Sequence, residues 1–190
     1  LEVEKTARNE DGLSRLHVKI ESTNRRFQVK TEHEKKWKFW EAMNAQVYYK
    51  LMVPATAVLS RVDVVNSTIK VTGMKGEVHL EAVNGNIEAQ DLTGAGRFET
   101  VNGSVRVSYA AMPAGGGIVL ETVNGSCLLV LPANAAFDLD TDTVNGRINC
   151  DFPITLEHSG KRELHGAVNG GGNRVELKSV NGGLTVERAK

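Results

Sequence analysis

The tripeptide Val-Asn-Gly occurs six times after residue 64, and a seventh copy reads Val65-Asn66-Ser67. Its asparagines are Asn66, Asn84, Asn102, Asn124, Asn145, Asn169 and Asn181, separated by 18, 18, 22, 21, 24 and 12 residues. A unit of about 20 residues cannot bury its own apolar face, so copies that recur in this way are expected to stack on one another.

Aligned on Asn, the copies alternate with period 2, the pattern of strands with one buried face. Three residues after Asn stand Ile69, Ile87, Val105, Cys127, Ile148 and Leu184, and five after stand Val71, Ala89, Val107, Leu129, Cys150 and Val186. Upstream, Leu80, Phe98, Leu120 and Leu177 lie four before Asn. The position three before Asn holds Asp63, Glu81, Glu99, Glu121, Asp142 and Lys178, a charged column expected to face water. Each repeat therefore reads as strand, Val-Asn-Gly corner, strand and a second turn that often carries Gly.

Two topologies use such a unit. Asn-Gly is a strong hairpin signal, because both residues tolerate positive φ, and seven hairpins would form an antiparallel meander. A solenoid instead makes each repeat one rung and stacks like residues about 4.8 Å apart. Identity at every corner favours the solenoid: an all-β, single-domain parallel β-helix of about 6–7 rungs. The seven asparagines are then expected to hydrogen-bond from rung to rung as a ladder. The Val before each Asn is never polar, which predicts that the corner turns it into the core.

These rungs resemble a bacterial family known as putative adhesins, β-helical domains of unassigned biochemistry. The resemblance covers about residues 45 to 190, including the lead-in "VYYKLMVPA" at 47 to 55. It implies a right-handed parallel β-helix and an extracytoplasmic location, periplasmic or on the cell surface.

The array is irregular near its end. After Asn169 the chain runs "NGGGNRVELKSVNG" and lacks an apolar residue three or five positions on, so that rung reads as truncated. The final strand, "GGLTVERAK", is expected near the exposed end of the coil. Residues 61–190 form the repeats, and residues 1–60, with alternating Leu16, Val18, Ile20 and Val47, Tyr49, Leu51, Val53, read as non-repeating strands that cap the coil. Between them lie Trp37, Phe39 and Trp40 beside Lys35, Lys36 and Lys38. This cluster either plugs the coil or binds a ligand by stacking on sugar rings or entering a lipid interface.

Chemistry-bearing motifs are sparse. Asp138, Asp140 and Asp142 suggest calcium, but Thr143 and Asn149 stand where an EF-hand loop needs Gly and Glu, and three Asp at period 2 read as a solvated strand face. The five histidines, at 17, 33, 79, 158 and 165, form no pair at metal-ligand spacing. Glu81, Glu99, Glu121 and Asp142 form an acidic stripe whose regularity also reads as a solvated face. Cys127 and Cys150 are expected on neighbouring rungs, diagonal to one another and about 8 Å apart, beyond disulfide reach, as two buried free thiols.

Basic and acidic residues number 23 each, which leaves no net field to attract nucleic acid. No apolar run of 18 residues could span a membrane as a helix. No catalytic residue, cofactor or metal is expected. The reading is of a non-catalytic module that binds a cell-envelope polymer, a glycan or another protein; the alternative is a carbohydrate-active lyase or hydrolase on a β-helix scaffold.

Overall fold

In a computed structural model, the chain divides into two compact units, Leu1–Val53 and Pro54–Lys190. Residues 2–7, 16–22, 27–33 and 45–190 are described. The first unit contains two antiparallel pairs: β1 (Glu2–Ala7) with β4 (Ala45–Lys50), and β2 (Leu16–Ser22) with β3 (Phe27–His33). Lys35, Lys36, Trp37, Lys38, Phe39 and Trp40 lie outside the described residues, and with them the expected aromatic cap or binding cluster.

The second unit is the solenoid. Each repeat contributes one strand to each of two sheets and crosses between them at its Val-Asn-Gly corner. The first four rungs are β5 (Leu59–Val64) with β6 (Ile69–Thr72), β7 (Val78–Asn84) with β8 (Ile87–Leu92), β9 (Gly96–Asn102) with β10 (Val105–Tyr109), and β11 (Ile118–Asn124) with β12 (Cys127–Leu131). They stack in parallel and in register, with Leu80 opposite Phe98 and Phe98 opposite Leu120. Leu80, Phe98, Leu120 and Leu177 are fully buried, as are Ile87, Leu129 and Leu184 from the other sheet. Burying each such side chain contributes about 1.5–3 kcal/mol, enough to hold the two sheets face to face.

From there the chain departs from sequence order. The remaining strands are β13 (Phe137–Asn145), β14 (Ile148–Cys150), β15 (Ile154–Ser159), β16 (Glu163–Val168), β17 (Asn173–Asn181) and β18 (Leu184–Arg188). The eight-stranded sheet runs β15-β16-β13-β17-β11-β9-β7-β5 and the six-stranded sheet β14-β18-β12-β10-β8-β6. The last rung, β17 with β18, is thus inserted between β11–β12 and β13–β14, so β18 is internal and not at the exposed end. The far end is closed by β15 and β16, which pair antiparallel with each other, while β16 pairs antiparallel with β13.

Asn169 is not a rung corner. It ends β16 with φ 49°, and its Nδ2 donates to the Ala135 carbonyl at 2.8 Å. The glycine run after it links the closing hairpin to the inserted rung. Six corners remain, and their glycines show why the tripeptide recurs. A Cβ built on Gly85 would lie 1.7 Å from the Ser67 carbonyl oxygen; Gly103 would meet that of Gly85 at 2.1 Å, Gly125 that of Gly103 at 1.9 Å, Gly182 that of Gly125 at 1.7 Å and Gly146 that of Gly182 at 1.9 Å. None of these five has positive φ, so Gly serves close approach between rungs and not the bend. Ser67 is allowed in the first copy because no corner lies beneath it.

The residue before Val points inward, and in four corners its hydroxyl donates to the same carbonyl: Thr100 to Gly85 at 2.9 Å, Thr122 to Gly103 at 3.0 Å, Ser179 to Gly125 at 3.0 Å and Thr143 to Gly182 at 3.1 Å. Alternation therefore continues through the corner and puts Val outside. Val65, Val83, Val101, Val123, Val144 and Val180 are all exposed, contrary to the inward turn expected from their lack of polarity.

Gly125→Ala should lower stability by about 2–3 kcal/mol or more, because a methyl group would displace a neighbouring backbone carbonyl. Gly115→Ala, where nothing lies within 4 Å and φ is ordinary, should change stability by no more than about 1 kcal/mol. Denaturation midpoints followed by circular dichroism compare the two.

Candidate functional site

The corner strings six asparagines into one line. Asn84 donates to Asn66 at 2.8 Å, Asn102 to Asn84 at 2.7 Å, Asn124 to Asn102 at 2.8 Å, Asn181 to Asn124 at 2.8 Å and Asn145 to Asn181 at 2.9 Å. The exposed valines run beside this ladder, one per rung.

The outer face of the eight-stranded sheet carries the charges. Six of its strands present two outward-facing positions, five and three before the corner Asn: Arg61 and Asp63, His79 and Glu81, Arg97 and Glu99, Val119 and Glu121, Glu176 and Lys178, Asp140 and Asp142. Ion pairs link them across strands. Arg61 reaches Asp63 at 2.5 Å and Glu81 at 3.3 Å; Arg97 holds Glu99 and reaches Glu121 at 3.4 Å; Arg174 reaches Glu176 at 2.9 Å and Asp140 at 3.3 Å; Lys178 holds Glu176. The pairs of Arg61 and Arg97 are exposed and contribute little to stability, whereas Glu176 is buried beneath its two cations. In the inserted strand the order of charges is reversed, which places Lys178 between Glu121 and Asp142.

The face also sets carboxyl groups apart. Burial pushes the Glu121 carboxyl up, and the neighbouring Glu99 charge adds to this, while Arg97 opposes it. Burial works the same way on Glu99, but the Arg97 guanidinium outweighs it and holds that carboxyl below the usual range. For Glu176, too, burial opposes ionisation, and Lys178 and Arg174 overcome it.

His79 joins this row from the second rung. Its Nε2 lies 3.0 Å from Glu81 Oε1 and 3.6 Å from Glu99 Oε2, and one ligand atom from each of the three residues falls within 4.8 Å of the others. Near Arg97, a groove of about 580 Å³ follows the second turns, lined by Lys75, Glu77, Thr93 and the glycines Gly94, Gly96 and Gly115 to Gly117.

A family model described as Toastrack DUF4097 matches residues 55–187. The chain belongs to the Toastrack DUF4097 family. The solved structure of a "putative cell adhesion protein" from Clostridium sporogenes is similar in fold to this Toastrack chain, with a TM-score of 0.52 and 9% identity over 98% of this chain and 82% of that chain. No curated protein sequence matches it. Among the described residues, no helix is long and apolar enough to cross a membrane.

The two thiols of the Toastrack unit are free. Cys127 is buried and its thiol is pushed up to about 12, by burial first and then by the Glu121 charge. Cys150 is only half-buried, and β18 lies between their strands, so they do not occupy neighbouring rungs. Two intervening strand spacings and two residues of offset put them about 12 Å apart. Asp138, Asp140 and Asp142 face outward from β13; Asp138 accepts from the Gly172 amide at 3.2 Å and Asp140 pairs with Arg174 and with His165 at 3.1 Å. The approach of His79 to Glu81 and Glu99 spans two rungs and so lies outside any single ligand motif. Its signal is the period-2 step from His79 to Glu81 combined with the 18-residue step to Glu99.

Glu176→Gln tests the ion-pair face. A carboxyl held below its unfolded value contributes stability above the unfolded pKa of about 4.3 and loses it as pH falls through the folded value. The variant should therefore be less stable than the parent at pH 7, and the difference should shrink as pH falls below the unfolded value and disappear below the folded one, as measured by urea midpoints across pH.

Proposed function

We propose that this Toastrack chain is a non-catalytic, adhesin-like binding and scaffold module that works outside the cytoplasm, in the periplasm or at the cell surface, on a cell-envelope polymer, a glycan or another protein. The observation that carries the reading is the valine column. Six β-branched side chains are 41–65% exposed in a continuous row, where burial does not account for them. Contiguous exposed apolar surface beside polar groups is the composition of an interaction site. The asparagine ladder supplies that polar border, and stacked rungs hold both at fixed spacing, so little conformational entropy is lost on binding.

Family membership and the shared fold with a protein described as a putative cell adhesion protein support the same reading. So does the charged face, whose side chains are engaged with one another across strands.

The purified chain should be screened against arrays of glycans and cell-envelope polymers, together with a variant carrying Val101→Thr, Val123→Thr and Val180→Thr. Thr keeps the β-branched shape, so stability should change by less than about 0.5 kcal/mol per site. Loss of three methyl contacts should weaken binding about tenfold. Binding that is indifferent to the triple change would remove the column as the site, and cleavage of a bound polymer would establish the carbohydrate-active alternative instead.

A further inference from the structure

We propose that His79, Glu81 and Glu99 form a divalent transition-metal site on the outer face of the eight-stranded sheet, with Zn2+ the best-suited ion.

Three residues of the right chemistry converge without belonging to one motif. His79 and Glu81 project from the same face of β7, two residues apart, and Glu99 is directly opposite Glu81 on β9. Imidazole nitrogen and carboxylate oxygens are ordinary zinc ligands, at about 2.0–2.2 Å from the ion. Around such an ion, adjacent ligand atoms stand about 3.0 Å apart in octahedral and about 3.4 Å apart in tetrahedral geometry. The 3.0 and 3.6 Å separations from His79 Nε2 to Glu81 Oε1 and Glu99 Oε2 are edges of this size.

His79 Nε2 is shielded from solvent and has no hydrogen-bond partner, although Glu81 Oε1 is only 3.0 Å away. A shielded ring nitrogen left unsatisfied beside two carboxylate oxygens suits a ligand that shares an ion with them.

The arginines occupy the other oxygens. Arg61 Nη2 reaches Glu81 Oε2 at 3.3 Å, and Arg97 holds Glu99 Oε1, so Glu81 Oε1 and Glu99 Oε2 are left toward His79. Charged groups in this outer position orient a carboxylate ligand. The two carboxylates offset the charge of a divalent ion while Arg61 and Arg97 stay on their other oxygens, and a neutral imidazole with its proton on Nδ1 presents the Nε2 lone pair. Three protein ligands leave at least one coordination position open on the outer face, for water or for an anionic oxygen of a bound molecule.

The test is titration of the full chain, stripped with chelator, with Zn2+ by calorimetry and with Co2+ by visible absorption. One equivalent should bind, and His79→Ala and Glu99→Gln should each weaken binding at least tenfold. His165→Ala, which removes another histidine paired with a carboxylate on this sheet, should leave it unchanged. Absence of binding, binding unaltered in His79→Ala, or binding lost in His165→Ala would overturn the site. Circular dichroism confirms that each variant is folded, and Glu99→Gln keeps the test decisive if His79→Ala is not.

Discussion

Each corner glycine lies so close to the carbonyl of the corner beneath it that no side chain fits between them. From Gly85 to Gly146 the gap left for a Cβ is only 1.7 to 2.1 Å, and the main chain supplies both surfaces. This close approach fixes the stacking of everything nearby. It brings the hydroxyl of Thr100, Thr122, Ser179 or Thr143 to the carbonyl of the preceding corner, and it sets the asparagines at the spacing at which amide donates to amide. Neither column could be regular if one corner were pushed outward, so the glycine is the position with least freedom.

The same contacts define the order of the rungs. Gly182 packs on Gly125 and Gly146 packs on Gly182, which is the order given independently by strand pairing. The chain leaves a space one rung wide after β12, builds β13–β14 and the closing hairpin beyond it, then returns to fill the space. Pairing of β11 with β17 joins residues more than 50 positions apart, a costly closure in the unfolded chain. In return, the terminal strands are buried and the exposed end is a hairpin with T-stacked Phe137 and Phe152 beneath it, 5.2 Å between centroids. The insertion also completes the charged face, since Lys178 separates Glu121 from Asp142.

Much of this was legible in the residues, and what was not has definite physical reasons. Period-2 columns locate the strands, because alternation reports one buried face wherever it occurs. Apolarity alone does not report burial at the valines; alternation itself, with Thr100 in and Val101 out, holds through the corner. Rung order was hidden because every copy carries the same inward residues and fits any neighbour equally well. The distinguishing marks lie elsewhere: Ser67, tolerated only where no corner lies beneath, the glycine run after Asn169, and the reversed charges of Glu176 and Lys178. The site around His79 was illegible for a related reason. Its ligands come from two rungs, and only the stacking brings Glu99 to the other two.

The inserted rung is tested most directly by cross-linking through the exposed corners. Val123 and Val180 flank one another on adjacent parallel strands, within the roughly 4.4–6.8 Å Cα range of a disulfide, whereas Val123 and Val144 are separated by β17 at about twice the strand spacing. A variant with Val123→Cys and Val180→Cys should form an intramolecular disulfide on mild oxidation, identified by peptide mapping, and one with Val123→Cys and Val144→Cys should not. The opposite outcome, in which Val123 links to Val144 and not to Val180, would show that the rungs stack in sequence order and would contradict the account.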